Sequence, residues 1–209
     1  MLAKNPEIVV HFCEQGAPEW YEARLGKVTA SNFSKVMAGG EGKVRSKLLR
    51  DLAAEILTGE PAEGFQSWQM QRGKDMEADA RDWYDRNHLD IDVQQIGFMF
   101  NPEINAGWSP DGLCGDDGGL ELKWHEPHVM ISLLEKGTFP PEHRAQCHGA
   151  LWVSGRQWID YVAYSHAKLP KYYHRVQRDE TYIDEIAAAV RKFNIELEQL
   201  VARMRKLMV

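Results

Sequence analysis

Residues 109–124, SPDGLCGDDGGLELKW, constrain the fold more tightly than any other segment of the chain. The last five residues alternate apolar side chains with Glu121 and Lys123. Because successive side chains of a β-strand point to opposite faces, Glu121 and Lys123 should share one face. The apolar residues around them should pack against the core on the other face. The glycine-rich turn CGDDGG before this strand predicts an antiparallel partner at residues 107–113.

Two carboxylates on this hairpin point to a metal site. Asp111 stands ten residues before Glu121, and Lys123 follows two residues after it. Mg²⁺ is commonly held by one or two carboxylates, and a nearby lysine can position an attacking water or offset charge on a scissile phosphate. The pattern PD…ExK therefore predicts a metal-dependent nuclease site, although a hairpin with an exposed salt bridge would show the same residues.

Composition narrows the classes of protein that could carry such a site. The net charge of −6 argues against a protein that coats nucleic acid non-specifically, because phosphate binding depends on the density of lysine and arginine. A local basic site is still compatible with it. The three cysteines never occur as CxxC, which argues against a structural zinc site and against a disulfide framework. Since no run of about eighteen apolar residues occurs, we expect no membrane span and a cytoplasmic location.

Periodic apolar residues and turn residues predict the remaining elements. The predicted helices cover residues 18–25, 30–37, 46–59, 68–87, 128–136, 142–154 and 179–208. The predicted strands, of which the first three form a meander, cover residues 91–100, 107–113, 119–124 and 157–165. No repeat or linker interrupts this order, so we expect one α/β (α+β) domain over residues 1–209, with a single layer of sheet covered by helices.

Three sequence blocks, taken in their order along the chain, resemble one nuclease family. They are EWYEARLGKVTASNFSKVM, QRGKDMEADA and GWSPDGLCGDDGGLELKW. Together they resemble the phage lambda exonuclease family, the YqaJ-like viral recombinases of the PD-(D/E)XK superfamily, over residues 14–165. The resemblance implies a restriction-endonuclease-like core, with a central mixed β-sheet flanked by helices, in a single nuclease domain.

The resemblance also implies roles for residues around the PD…ExK pattern. The ligands of a Mg²⁺ ion, which Mn²⁺ could replace, would be Asp111, Glu121 and the backbone carbonyl of Leu122. Lys123 would be the catalytic lysine. From nearby helices, Glu77 would support the metal and its water, and Gln146 would lie behind the site. Glu77 also has a simpler interpretation, as one half of an i, i+4 ion pair with Arg81.

The same resemblance implies a pocket for the 5′-phosphate at a DNA end. Arg24 would receive the phosphate, with hydroxyl groups from Ser31 and Ser109 beside it. These residue types suit an anion, because a guanidinium offers a planar fork and because hydroxyls or amides at a helix start can donate to phosphate. Without the family, a surface salt bridge from Arg24 to Glu19 or Glu22 would explain the arginine, and a helix cap would explain Ser31.

The function implied by the resemblance is that of a Mg²⁺-dependent 5′→3′ exonuclease. Such an enzyme degrades one strand of linear double-stranded DNA to mononucleotides and leaves a 3′ single-stranded overhang for phage-type recombination. The family further implies a homotrimeric ring that acts on DNA ends, a single-strand annealing protein as partner, and no membrane association. Two alternatives stay open, a PD-(D/E)XK endonuclease of other specificity and a non-catalytic protein that binds DNA ends. The second would be expected to lack a ligand, yet Asp111, Glu121 and Lys123 are all present.

Overall fold

The computed structural model describes residues 8–38, 42–61, 68–166 and 168–208, with the side chains of residues 68–75 outside the description. The first half of the QRGKDMEADA block therefore lies outside the described side chains. Within these ranges the α-helices are α1 (Pro18–Arg24), α2 (Phe33–Met37), α3 (Lys43–Thr58), α4 (Trp68–Asn87), α5 (Pro127–Lys136), α6 (Arg144–Ser154) and α7 (Glu180–Leu207). The strands are β1 (Val9–His11), β2 (Val28–Thr29), β3 (Val93–Gln94), β4 (Phe98–Asn101), β5 (Ala106–Trp108), β6 (Gly112–Cys114), β7 (Gly118–Trp124), β8 (Trp158–Tyr164) and β9 (Tyr172–Gln177).

The strands form two mixed sheets rather than the single layer expected from the sequence. One sheet has the strand order β1-β4-β5-β2, and the other has the order β3-β6-β7-β8-β9. In the second sheet β7 runs antiparallel to β6 and parallel to β8. Parallel neighbours need a long crossover, and here α5 and α6 provide it. The predicted class, α/β with a mixed sheet flanked by helices, is thereby confirmed.

Two of the predicted strands are each divided between the sheets. Residues 107–113 contain most of β5, which belongs to the first sheet, and the start of β6, which belongs to the second. Pro110 lies between them, and because proline has no amide hydrogen for a ladder, the strand does not continue through it. We call residues 109–111, which link the two sheets, the junction. Residues 91–100 are divided in the same way into β3 and β4, so the predicted meander survives only as β3, β6 and β7.

The two faces of β7 are as the alternation predicts. Leu120 and Leu122 pack in one cluster with Ala80 and Tyr84 of α4. Glu121 points to the opposite face, where the side chain of Gln146 in α6 contacts it. The sheet therefore has α4 on one side and α6 on the other, and the charged side chains of β7 lie under α6.

The sequence patterns do not predict several of the short elements. β1 and β2 have three and two residues, too few to show a period of two. The sequence of β9, YYHRVQ, does not alternate regularly between apolar and polar residues, and this strand pairs only with β8 at the edge of its sheet. The helix predicted at residues 30–37 begins as a 3₁₀ turn, Ala30–Asn32, before α2. In the described part of the chain no helix is both long and apolar enough to cross a bilayer.

A fully buried carboxylate ties β8 to its neighbours. Asp160, with 0% of its surface exposed, accepts hydrogen bonds from the hydroxyls of Tyr84 at 2.6 Å and Tyr173 at 3.0 Å. Arg175 of β9 donates to it from Nε and from Nη2, both at 2.7 Å. Burial of a charge is costly unless it is paired and hydrogen-bonded, and these donors meet that requirement.

We predict that Arg175→Met lowers the free energy of unfolding by about 2 kcal/mol, because the buried Asp160 carboxylate keeps only its tyrosine donors. Urea unfolding followed by circular dichroism measures the change. The control, Lys47→Met, breaks the exposed pair with Asp51 and should cost about 0.5 kcal/mol or less. An Arg175→Met protein as stable as the wild type would contradict this role of the Asp160 pair.

Candidate active site

Glu121 is the most buried of the predicted catalytic side chains, with 2% of its surface exposed. Its Oε1 atom pairs with the ammonium of Lys123 on the same face of β7. The same oxygen accepts a hydrogen bond from the side-chain amide of Gln146, in the first turn of α6. The structure therefore brings these three predicted residues together around one carboxylate.

Asp111 reaches the same place from the junction. Its Oδ2 atom accepts a hydrogen bond from the backbone N–H of Leu122 at 2.6 Å. The N–H of Asp111 donates to the carbonyl of Leu120 at 3.2 Å, which extends the pairing of β6 with β7 by one residue. These two bonds hold the Asp111 carboxylate against the strand that carries Glu121.

The charges of the site shift the pKa values of Asp111 and Lys123. Burial and the charge of Glu121 raise the pKa of Asp111 to about 8, although Lys123 opposes the shift. Burial by itself would lower the pKa of Lys123, but the carboxylates of Glu121 and Asp111 hold that pKa above its usual range. Lys123 is therefore a cation at neutral pH. When both carboxylates are ionised, one ammonium cannot neutralise them.

A divalent cation fits this donor set. The Oε2 atom of Glu121 is buried and has no hydrogen-bond partner among the described residues. Those residues also contain no group of three or more His, Cys, Asp and Glu side chains arranged as a metal site. Mg²⁺ is commonly held by only one or two carboxylates, with water and substrate oxygens as its other ligands. A cation between Asp111 and Glu121 would satisfy Oε2 and offset the repulsion that raises the pKa of Asp111.

Glu77 is connected to the site through Arg81. The Oε1 atom of Glu77 pairs with Nη2 of Arg81 at 2.6 Å, so the i, i+4 ion pair is confirmed. The same guanidinium donates to the backbone carbonyl of Asp111 from Nη2 at 3.2 Å and from Nε at 3.3 Å. Arg81 therefore holds the junction in place through the carbonyl of Asp111. In the sequence, the only sign of this residue is its i, i+4 spacing from Glu77. Support of the metal by Glu77 itself stays a prediction.

Arg24 and Ser109 are in direct contact, as a shared pocket requires. The Oγ atom of Ser109 accepts a hydrogen bond from Nη1 of Arg24 at 2.7 Å and another from the indole N–H of Trp20 at 3.0 Å. The guanidinium also lies over the Trp20 ring, 4.1 Å from its centroid. Burial lowers the pKa of Arg24 to about 10, which leaves the side chain cationic at neutral pH.

The alternative explanation of Arg24 as part of a surface salt bridge is not supported. Among the described residues, Arg24 forms no salt bridge with Glu19 or Glu22. Trp20 is the residue that the sequence missed here. The helical spacing of Trp20 predicts a core position. In the structure, however, its indole contacts Ser109 and Arg24 and holds them in place.

Ser31 lies near this pocket, but no hydrogen bond joins it to Arg24 among the described residues. Ser31 is exposed, and its hydroxyl lies 3.1 Å from the hydroxyl of Thr29. Thr29 and Arg24 line the same small cavity, with a volume of about 180 Å³. The cap interpretation of Ser31 is wrong, because no side chain caps the 3₁₀ turn or α2. A phosphate contact by Ser31 stays a prediction.

Two histidines, His125 and His143, lie beside Lys123. No spacing pattern in the sequence indicated them. The His125 ring forms a hydrogen bond with the Tyr161 hydroxyl at 3.0 Å, and the ring of His143 lies 5.8 Å from that of His125. Burial and the charge of Lys123 lower the pKa of His143 to about 3. Burial also lowers the pKa of His125. Both rings are therefore neutral at neutral pH and pack near Lys123 without adding charge.

The chain is similar to a known family and to solved structures. A family model for the YqaJ-like viral recombinase domain matches residues 19–157. An alkaline exonuclease from Laribacter hongkongensis is 33% identical, with a TM-score of 0.83, and the match covers 92% of this chain and 98% of that chain. Its complex with dAMP matches over the same shares, with 34% identity and a TM-score of 0.84.

A more distant structure shares the fold alone. It is a phage related exonuclease from Haemophilus somnus 129PT, with 16% identity and a TM-score of 0.60 over 85% of this chain and 96% of that chain. Among curated proteins, no relative of significant similarity is found.

We predict that without divalent cations the free energy of unfolding falls as the pH rises from about 7 to 8. Below about pH 7 the lowered pKa values of His125 and His143 act in the opposite direction, because these histidines take up protons on unfolding. The Asp111 carboxyl is ionised in the unfolded chain above about pH 4, whereas the fold raises its pKa to about 8. Unfolding in this interval therefore releases a proton, so higher pH favours the unfolded state. Asp111→Asn should flatten the dependence.

Urea unfolding at several pH values in EDTA measures this slope. Asp92→Asn, at an exposed position, is the control and should keep the slope of the wild type. A slope as steep in Asp111→Asn as in the wild type would contradict the assignment to Asp111.

Proposed function

Because this chain belongs to the YqaJ-like viral recombinase family, we propose that it is a Mg²⁺-dependent exonuclease acting 5′→3′ on linear double-stranded DNA. It releases mononucleotides from one strand and leaves a 3′ single-stranded overhang. One observation carries the proposal, namely that the junction joins an arginine suited to phosphate with a pair of carboxylates. Ser109 accepts a hydrogen bond from Arg24, and Asp111, two residues on, is held against β7 beside Glu121.

Each residue of the carboxylate site has a task in phosphodiester hydrolysis. When bound, Mg²⁺ supplies Lewis-acid stabilisation and lowers the pKa of the attacking water. Asp111 and Glu121 bind the cation, and Gln146 orients the Glu121 carboxylate by donating to Oε1. Lys123, which the carboxylates hold protonated in the metal-free site, acts as a donor to water or to phosphate oxygens as their negative charge grows.

The pocket of Arg24 supplies the preference for a DNA end. A terminal phosphate monoester carries a charge of about −2 near neutral pH, which exceeds the single charge of an internal phosphodiester. A guanidinium held in a fixed plane by Trp20 and Ser109 therefore binds the terminal group more tightly than a phosphate within the chain. This selection sets the polarity of the enzyme.

The names of the structural relatives agree with the proposal. The Laribacter protein is an alkaline exonuclease, and one of its structures contains dAMP. A deoxynucleoside monophosphate is the kind of product that the proposed reaction releases. By the same family membership we propose a cytoplasmic homotrimeric ring that works with a single-strand annealing protein.

Digestion of labelled DNA tests the proposal. We predict early release of a 5′ label as mononucleotide from a linear duplex in Mg²⁺, with a 3′ label released late and a closed circle left intact. EDTA should stop the reaction. Asp111→Asn and Lys123→Gln should each lower kcat by about 100-fold or more. The first removes a charged ligand of the cation, and the second removes a donor that stabilises negative charge in the transition state.

The other outcomes separate the alternatives. A nicked or linearised circle would contradict the exonuclease and favour an endonuclease of the same superfamily. Binding of DNA ends without cleavage of any substrate would favour a non-catalytic end-binding protein. Early release of the 3′ label would contradict the proposed polarity.

The Arg24 pocket makes a separate prediction. Arg24→Gln should reduce the preference for 5′-phosphate over 5′-hydroxyl ends by about tenfold or more, because one charge-assisted hydrogen bond is lost. The measurement is the ratio of kcat/KM on the two duplexes. Lys35→Gln, on the exposed side of α2, serves as the charge-matched control and should leave the ratio unchanged. An unaltered ratio in Arg24→Gln would contradict the role of the pocket.

A further inference from the structure

Phe12 occupies an unusual position at the cleft that contains Asp111. Its side chain is 73% exposed, and with Asp111 and Glu77 it lines a cleft of about 640 Å³. Single exposed apolar side chains are common in soluble proteins, so exposure alone has little meaning. Leu89 is even more exposed, at 87%, but does not line this cleft. The position of Phe12 beside the carboxylate site is therefore the informative feature.

The backbone on both sides of Phe12 is fixed. His11 ends β1, and its carbonyl accepts a hydrogen bond from the N–H of Gly97 at 3.0 Å. Three residues after Phe12, the side-chain amide of Gln15 donates to the carbonyl of Pro110 at 2.7 Å. Pro110 belongs to the junction, so the segment that carries Phe12 is tied directly to the site. Because this backbone is already ordered, the segment loses little backbone freedom when a ligand binds.

The charges of the cleft favour an uncharged part of DNA beside Phe12. Three of the lining residues that the structure describes are acidic, Glu14, Glu77 and Asp111. Arg81 is the only basic residue among them, and its guanidinium is already bonded to Glu77 and to the Asp111 carbonyl. Among the described lining residues no cation is therefore free to bind a phosphate beside Phe12, whereas a nucleobase presents an uncharged π-face that needs none.

A second neutral group lies on the same wall. Gln95 is exposed and lines the cleft, and its amide can both donate to and accept from the edge of a base. The cleft therefore offers a face for stacking and an amide for hydrogen bonding, next to carboxylates suited to a metal ion.

We propose that Phe12 stacks on a nucleobase that flanks the scissile phosphate and so positions the substrate strand in the cleft. The inference rests on the proposed nuclease function, since it takes the phosphate to be cleaved at Asp111 and Glu121. Stacking on an aromatic ring tolerates every base, because each base has a π-face. That tolerance suits an enzyme that must degrade a strand of any sequence.

Removal of single bases tests this contact directly. The release of the first labelled nucleotides is measured at low DNA concentration, on duplexes that are intact or lack the base of the first, second or fifth nucleotide. On intact DNA, Phe12→Ala should lower kcat/KM by about 5- to 100-fold, the range expected from the stacking of one base. Phe12→Trp should stay within about threefold of the wild type, because it retains an aromatic face. Leu89→Ala should have no effect.

The abasic duplexes supply a readout that a merely structural role would not change. On one of the two duplexes that lack the first or the second base, wild type and Phe12→Ala should become equally fast, whereas loss of the fifth base should leave their full difference. Equal rates on intact DNA, or one constant ratio on all four duplexes, would overturn the contact. An inactive wild type would instead refute the nuclease function itself. Matching thermal melting curves for Phe12→Ala and the wild type would confirm that the fold is retained.

Discussion

A carboxylate with almost no access to water, that of Glu121, is the constraint on which the rest of the site depends. Removing a charged carboxylate from water costs free energy unless donors or cations compensate for it. Glu121 is compensated by Lys123 on its own strand and by Gln146 on α6, and its Oε2 atom, which has no hydrogen-bond partner among the described residues, suits the proposed cation. α6 must therefore pack across the charged face of β7. The parallel pairing of β7 with β8 provides the crossover that brings it there.

The junction between the sheets supplies the other half of the site. Pro110 ends the pairing of one sheet, and the next residue, Asp111, already pairs with β7 in the other. On one side of Pro110, Ser109 is fixed by Trp20 and Arg24. On the other side, Arg81 holds the backbone of Asp111. One three-residue segment therefore sets the separation between the arginine pocket and the carboxylates, and α1 and α4 make that segment rigid.

The sequence predicts the residues of the site better than it predicts the contacts that hold those residues in place. Alternation along β7 is a local property, so the opposite directions of Glu121 and Leu122 follow from five residues. The positions of Gln146 and Arg24 came from family resemblance, because no local pattern relates a helix to a strand far away in sequence. The contact of Trp20 with Ser109 depends on the division of strands between two sheets. Strand patterns carry no information about which sheet a strand joins. The predicted strand at residues 107–113 ran through Pro110, a residue that could have signalled the break.

The claim at the centre of this description is that Asp111 and Glu121 together form a cation site. Electron paramagnetic resonance of Mn²⁺ titrated into the wild type and into Glu121→Gln tests it without any substrate, and circular dichroism shows whether the variant keeps its fold. We predict that the wild type removes the free Mn²⁺ signal and that Glu121→Gln binds at least about tenfold more weakly, because a charged ligand is lost. Equal binding by a folded Glu121→Gln protein would contradict the cation site.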